Sequence, residues 1–340
     1  MTESMLLGTD APLNTVFDAA LVDLDGVAYR GPHAIPTAPP ALEAAREAGM
    51  RIVFVTNNAS REPGEVAAHL TELGIPAAEH EVLTAAQAVA RLAREQLPPD
   101  ARILVVGGKG LRTAIDAAGF TRVESAADAP DAVVQGFAPE VSWRELAEAA
   151  YAIQAGARHF ASNLDLTLPN ERGIAPGNGS LVGAVVNATG IVPVAAGKPE
   201  PAMFHQAAAN IGAERPLAIG DRLDTDLKGA RAAGVPGLLV LTGVSSAEDA
   251  IRAVPEERPS FIGADLTCLE EPHPAPVREG DAWRVRENVA RVVDGRLEVH
   301  GPAGMDLLRA ACAAAWGAVD RGETLSTFSI PELAVWSSHE

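Results

Sequence analysis

Two aspartates one residue apart, Asp23 and Asp25, with Gly26 behind them, close a largely apolar run from Phe17 to Val22. Such a run reads as a buried strand of a parallel sheet, and open α/β sheets put their ligand crevice at the carboxyl ends of these strands. Side chains two apart share one face of a strand, and two carboxylates at about 5 Å repel each other. A hard divalent cation with oxygen ligands would balance them. Two solvated acids in a strand-to-loop turn would be written with the same letters, so the pair alone does not decide.

Three further elements stand at comparable places. Thr56-Asn57-Asn58-Ala59-Ser60 follows Arg51–Val55, which reads as a second buried strand. A hydroxyl and adjacent backbone N–H groups there can hold a phosphate oxygen, although the same residues also favour polar turns and helix N-caps. Lys198, in Gly197-Lys198-Pro199-Glu200-Pro201, stands at a helix start, the electrostatically wrong end for a cation unless an anion is bound. Asp221, Asp224 and Asp226 follow the strand-like Pro216–Gly220. A capped solvated loop accounts for Asp224 but not for all three acids. Together the four elements supply a nucleophile, metal ligands, phosphate donors and a point charge, the parts of a phosphoryl-transfer site.

The elements that must position them alternate as β/α units. A weakly ordered leader is expected over residues 1–16. A Gly- and Pro-punctuated loop, Gly26 to Pro40, precedes a helix over Ala41–Ala48, and helices are expected over Pro63–Leu73 and Ala85–Leu97. From Pro98 the pattern restarts as a small α/β domain: a strand Arg102–Val106, a turn Gly107–Gly110, a strand Ala132–Val134, and a helix Ser142–Ala155 with Ser142 as N-cap. A polar loop, Asn163–Gly173, and a helix ending near Ala188 complete it. Gly107-Gly108-Lys109-Gly110 lacks the Ser/Thr and the spacing of a phosphate loop and reads as a tight strand-to-helix turn. Beyond residue 265, Trp283–Arg286 alternates as a strand. Val292–Val299 reads as a hairpin turning on Asp294-Gly295, and Met305–Val319 as an Ala-rich helix.

A chain of 340 residues, 47% apolar, has material for two or three domains and a sizeable core. The net charge of −18 argues against nucleic-acid binding by phosphate neutralisation. No signal peptide and no membrane span is expected. Two cysteines, Cys268 and Cys312, suit ordinary core thiols of a reduced, cytoplasmic protein. Only three lysines occur among 27 basic residues, which makes Lys198 more informative than an average lysine.

On Asp23-Leu24-Asp25-Gly26, Thr56-Asn57-Asn58, Lys198 and Gly220-Asp221…Asp226, the chain resembles the haloacid dehalogenase superfamily over roughly residues 15–265. About 140 residues separate Thr56 from Lys198, which places the inserted domain as in the C2-capped, subclass IIA phosphatases of p-nitrophenyl phosphate, phosphoglycolate, glycerol 3-phosphate and pyridoxal phosphate. The resemblance implies an α/β fold: a Rossmann-like core over 1–97 and 194–265 and an α/β cap over 98–193; residues 266–340 fall outside it and read as a small α+β extension. It implies that Asp23 is the nucleophile and Asp25 the general acid and base. Mg²⁺ would be held by the carboxylates of Asp23 and Asp221 and the backbone carbonyl of Asp25, with Asp226 orienting a metal-bound water. Thr56, Asn57 and Lys198 would hold the transferring phosphoryl group, and Asn58 would bind it or shape the loop.

The expected reaction is Mg²⁺-dependent hydrolysis of a small phosphomonoester through an aspartyl phosphate. The cap loop, with Asn163, Asp165 and Thr167, is expected to face the leaving group. Its amides, carboxylate and hydroxyl, without an aromatic ring, suit a short polyol such as glycerol 3-phosphate. 2-Phosphoglycolate and pyridoxal phosphate are the alternatives. A phosphotransferase or phosphomutase, or a non-catalytic binding protein, would use the same letters differently. The extension reads as a docking or dimerisation module, giving a homodimer, or as a degenerate acetyltransferase-like remnant.

Overall fold

The computed structural model describes residues 6–170, 172–324, 329–331 and 333. By contacts the chain divides into two units, one of residues 1–52 and 208–340, the other of residues 53–207. The division falls inside the strand Arg51–Thr56.

In the first unit four parallel strands lie in the order Phe261–Gly263, Gly237–Val240, Pro216–Gly220, Ala19–Val22. Val22 stands opposite Ile219, Ala218 opposite Gly237 and Leu239 opposite Ile262. Ala19–Val22, Gly237–Val240 and Phe261–Gly263 are buried at every residue, which is why they read as unbroken apolar runs rather than alternating ones. Asp18 precedes the first strand. Its carboxylate takes the backbone N–H of Glu214 and Arg215 at 2.9 and 2.8 Å and pairs with Arg51 at 2.7 Å. The helix Ala38–Glu47 buries Ala38, Ala41, Leu42 and Ala45, the i, i+3, i+4, i+7 stripe of one helical face.

The expected leader differs from the structure over its described part. Leu6 and Leu13 are buried, and the N–H groups of Leu7 and Thr9 donate to the carbonyls of Ser260 and His273 at 2.9 and 2.7 Å. Residues 1–5 lie outside the described residues.

The segment beyond residue 265 belongs to this same unit. Strands Val277–Glu279, Ala282–Val285, Asn288–Val293 and Arg296–His300 form an antiparallel sheet in sequence order. Asp294 and Gly295 join the last pair with φ of 49° and 71°, the type I′ turn that Asp-Gly favours. The helix Met305–Asp320 is buried along one run from Leu307 to Ala318. Its Leu308, Ala311, Ala315 and Trp316 share a core with Leu239, Ile251 and Ile262 of the sheet region. The segment therefore shares a core with the sheet region. Trp316 donates Nε1–H to the Ala250 carbonyl at 3.1 Å, and the buried Arg258 guanidinium is held by Asp320 at 2.9 Å.

In the second unit five parallel strands run Val194–Ala195, Arg158–Ala161, Ala132–Gln135, Arg102–Val106, Thr121–Val123. Helix Trp143–Gln154 starts on Ser142, whose hydroxyl accepts from the Glu145 N–H, while Glu145 returns a hydrogen bond to the Ser142 N–H. Phe54, Val55 and Thr56 pair in parallel with Val82, Leu83 and Thr84. Within the segment expected as a polar loop, Thr167–Asn170 and Gly173–Pro176 pair as an antiparallel hairpin. No helix among the described residues is long and apolar enough to cross a membrane.

Candidate active site

In the first unit the ends of Ala19–Val22 and Pro216–Gly220 lie side by side, so Asp23 and Asp221 leave the sheet together. Asp226 joins them through a wide turn over Leu223–Leu227, in which the Leu227 N–H reaches back five residues to the Arg222 carbonyl at 3.2 Å. One carboxylate oxygen from each of Asp23, Asp221 and Asp226 lies within 4.8 Å of the others. Asp221 and Asp226 are 1% and 3% exposed. At an effective dielectric of about 20, two carboxylates at that separation repel by about 3–4 kcal/mol. Three such acids, with oxygen donors only and no thiolate or imidazole among them, fit a hard divalent cation.

Glycines shape this pocket for Asp221. A Cβ on Gly243 would stand 1.8 Å from Asp221 Oδ2, and one on Gly26 2.4 Å from it. Gly26 also has a φ of 81°. The Val244 N–H donates to Asp221 Oδ2 at 2.7 Å, which aims the carboxylate. On Gly220 a Cβ would stand 2.1 Å from that of Asp226, so the strand end has to be glycine for the wide turn to fold back on it. Asp25 lies just past the strand and is exposed. Asp224 is exposed too and pairs with Arg222 at 2.8 Å. Partial burial works to raise its pKa, but the Arg222 hydrogen bonds and charge hold it below the usual carboxylate value.

In the second unit Thr56 is buried, and its hydroxyl oxygen accepts the Asn58 N–H at 3.1 Å. The Asn58 side chain accepts both the N–H and the hydroxyl of Ser60 at 2.8 Å, so it shapes the loop. Lys198, 3% exposed, donates Nζ–H to the Val55 carbonyl at 3.2 Å. The Asn57 side-chain amide accepts the Lys198 N–H at 2.8 Å and donates to the Lys198 carbonyl and to Asp165 Oδ2, both at 3.0 Å. Lys198, 141 positions beyond Asn57, thus lies beside Asn57 and the Val55 carbonyl that precedes Thr56.

Two stretches of the chain match families of known enzymes: residues 20–121 match the haloacid dehalogenase-like hydrolases, and residues 195–269 a HAD-hydrolase-like family. Over 254 residues the chain is 50% identical to a D-glycerol 3-phosphate phosphatase of Mycobacterium tuberculosis, covering 75% of this chain and 71% of that one. The chain belongs to the haloacid dehalogenase-like hydrolases. It is 38% identical to a 5'-nucleotidase of Bacillus subtilis over 67% of this chain and 88% of that one. It is also similar to the structure of a glycerol phosphate phosphatase of Mycobacterium tuberculosis in complex with magnesium. There the TM-score is 0.86 at 42% identity, over 95% of this chain and 96% of that one.

For a hydrolase of this family, the structure adds contacts to several of the expected residues. Asp226, expected to orient a metal-bound water, has a carboxylate oxygen within 4.8 Å of one from Asp23 and one from Asp221. Asp165, expected to face a leaving group, spends an oxygen on the Asn57 amide. Asn163, buried, donates to the Asn57 carbonyl at 2.7 Å and is held in turn by Asn178, whose amide donates to the Asn163 carbonyl at 2.7 Å. Thr167 is exposed on the hairpin. Gly26 and Gly243 carry part of the site and were missed as site residues. For Gly26 the signal was its place directly after the Asp pair; Gly243 carries no motif.

Proposed function

We propose that the chain is a Mg²⁺-dependent phosphomonoester hydrolase whose preferred substrate is glycerol 3-phosphate or a similar short polyol phosphate. The half-identity with a D-glycerol 3-phosphate phosphatase carries this reading. The polarity of the cap loop is a weaker support, since Asp165 and Asn163 each spend a group on Asn57. Residues 98–193 are proposed as the cap.

Bound Mg²⁺ would be held by Asp23, Asp221 and Asp226 with the Asp25 carbonyl, and would supply positive charge to the phosphoryl oxygens. An Asp23 carboxylate oxygen attacks phosphorus while the bond to the alkoxide breaks and Asp25 gives that alkoxide a proton. The phosphoryl group then rests on Asp23 as an acyl phosphate. Asp25, now ionised, takes a proton from water as the water attacks phosphorus, which releases orthophosphate and restores the Asp23 carboxylate. The Lys198 ammonium and the Thr56 hydroxyl, whose oxygen already accepts from Asn58, donate to phosphoryl oxygens.

The test is phosphate release with Mg²⁺ from glycerol 3-phosphate, 2-phosphoglycolate, pyridoxal phosphate and a nucleoside monophosphate. Glycerol 3-phosphate should give the highest kcat/KM, and Asp23→Asn should lower turnover by about 10⁴-fold or more, because an amide oxygen does not displace an alkoxide from phosphorus. A tenfold advantage for the nucleotide would move the substrate assignment toward the nucleotidase relative. Substantial turnover by Asp23→Asn would end the nucleophile assignment.

A further inference from the structure

Asn57 has only one side-chain amide, and all of it is used locally. Its oxygen accepts the Lys198 N–H, and its nitrogen donates to the Lys198 carbonyl and to Asp165 Oδ2. Asp165 is held in place by its neighbours: its N–H donates to Asn163 Oδ1 at 3.2 Å, and its carbonyl accepts the Gly179 N–H at 2.8 Å. Asn163 in turn grips the Asn57 carbonyl. The loop 163–165 therefore holds Asn57 from both its backbone and its side chain.

The contacts around Lys198 leave little slack. The Gly197 N–H donates to the Ser162 carbonyl at 2.7 Å. A Cβ on Gly197 would stand 2.5 Å from that carbonyl oxygen and 2.7 Å from Asn57 Oδ1. The strand Val194–Ala195 that delivers Gly197 pairs with Arg158–Ala161, which delivers Ser162 and Asn163. One parallel pair thus supplies both arms of the clasp.

We propose that Asp165 is a positioning residue for hydrolysis: through the Asn57 amide it sets the Lys198 backbone and the Thr56–Asn57 loop in register, and it does not select the leaving group. This rests on the phosphatase reading above. A carboxylate makes a stronger acceptor for an amide N–H than a neutral oxygen does, and orients the amide so that its oxygen faces the Lys198 N–H. Without it, the amide can turn over and present N–H groups to the Lys198 N–H. A displacement of about 1 Å in a group that holds a transferring phosphoryl can cost on the order of a hundredfold in rate.

The experiment measures kcat and KM of wild type, Asp165→Ala, Asp165→Asn, Asn57→Ala and the Asp165→Ala/Asn57→Ala double variant on glycerol 3-phosphate and on p-nitrophenyl phosphate. These substrates share the phosphoryl group and differ in the leaving group. Asp165→Ala should lower kcat by roughly ten- to a hundredfold on both substrates alike. Asp165→Asn, which keeps an acceptor oxygen, should recover most of it. The double variant should be no worse than Asn57→Ala alone, since both act through one contact. The proposal is overturned if Asp165→Ala changes the ratio of the two substrates tenfold, if its loss multiplies that of Asn57→Ala, or if Asp165→Asn is as impaired as Asp165→Ala. If wild type releases no phosphate from either ester, it is the phosphatase reading that falls. Should Asp165→Ala fail to fold, the rates of Asp165→Asn and Asn57→Ala on the two substrates still decide between a common loss and a change of preference.

Discussion

The two units solve the problem of burying polar groups in opposite ways. In the first, three acids from residues 23, 221 and 226 crowd together, two of them almost wholly buried. In the second, Asn57 and Asn163 bond to Lys198, to Asp165 and to backbone carbonyls, Asn178 holds the Asn163 carbonyl, and the buried Lys198 is held at its backbone and at Nζ. Amide side chains carry no net charge that has to be balanced. Carboxylates in a cluster do, because they repel in a medium where repulsion is weakly screened. The difference shows which region depends on a cation for its geometry.

Removing the cation should separate the two most sharply. Chelator should abolish phosphate release and Mg²⁺ restore it, with protection by Mg²⁺ of backbone amides in the Leu223–Leu227 turn and none in the Asn57–Asp165 contact, read by hydrogen exchange. Full activity in chelator would break the comparison.

Within the cluster, Asp221→Ala should cost on the order of 10³-fold in kcat, whereas Asp224→Ala, whose exposed carboxylate engages Arg222, should stay within about threefold. Gly243→Ala should approach the Asp221→Ala loss, since its Cβ would occupy the space of Asp221 Oδ2. Equal losses for Asp221→Ala and Asp224→Ala would mean that the wrong acid of the loop has been assigned.

The first unit should also be the one that feels the C-terminal helix. Trp316→Ala empties a fully buried site and removes the hydrogen bond to the Ala250 carbonyl. It should cost about 3–5 kcal/mol of stability, measured by denaturant unfolding. A loss under about 1 kcal/mol would show the helix to be dispensable.

A smaller effect is expected with pH. His273 is buried, its Nδ1 beside Arg309 and its Nε2 on the Cys268 carbonyl, with Asp306 and Arg286 close enough to act on it. Burial, then the Arg309 charge, hold its pKa down at about 4, against 6.5 in the unfolded chain. The neutral form is the folded form, so its stabilisation is complete above pH 6.5 and is lost as pH falls from 6.5 toward 4, by at most about 3 kcal/mol. His273→Gln should flatten this part of the stability profile. An unchanged profile would remove His273 from the account.

The chain wrote plainly whatever depends on neighbours in sequence. Ser142 announced a helix start, and Asp294-Gly295 a type I′ turn, because each acts within four residues. The Asp23 and Asp221 pair was legible because apolar runs mark buried parallel strands, and ligands gather at their carboxyl ends. Other features left no local trace. The Leu223–Leu227 turn brings Asp226 to Asp221 by a single wide step, with no periodicity to show it. The Asp165 contact spans 108 positions and the Lys198 contact 141, and a hydrogen bond over such a distance imposes no pattern on the residues between. The helix Met305–Asp320 looks in sequence like any Ala-rich helix, and only the shared core with Leu239 and Ile262 shows what it packs against. The sequence by itself determined which residues can do the chemistry, since charge, nucleophilicity and turn propensity belong to residue types and short spacings. The tertiary structure alone decided which of them meet and which side chains are committed to holding others in place, because those are properties of distance and burial.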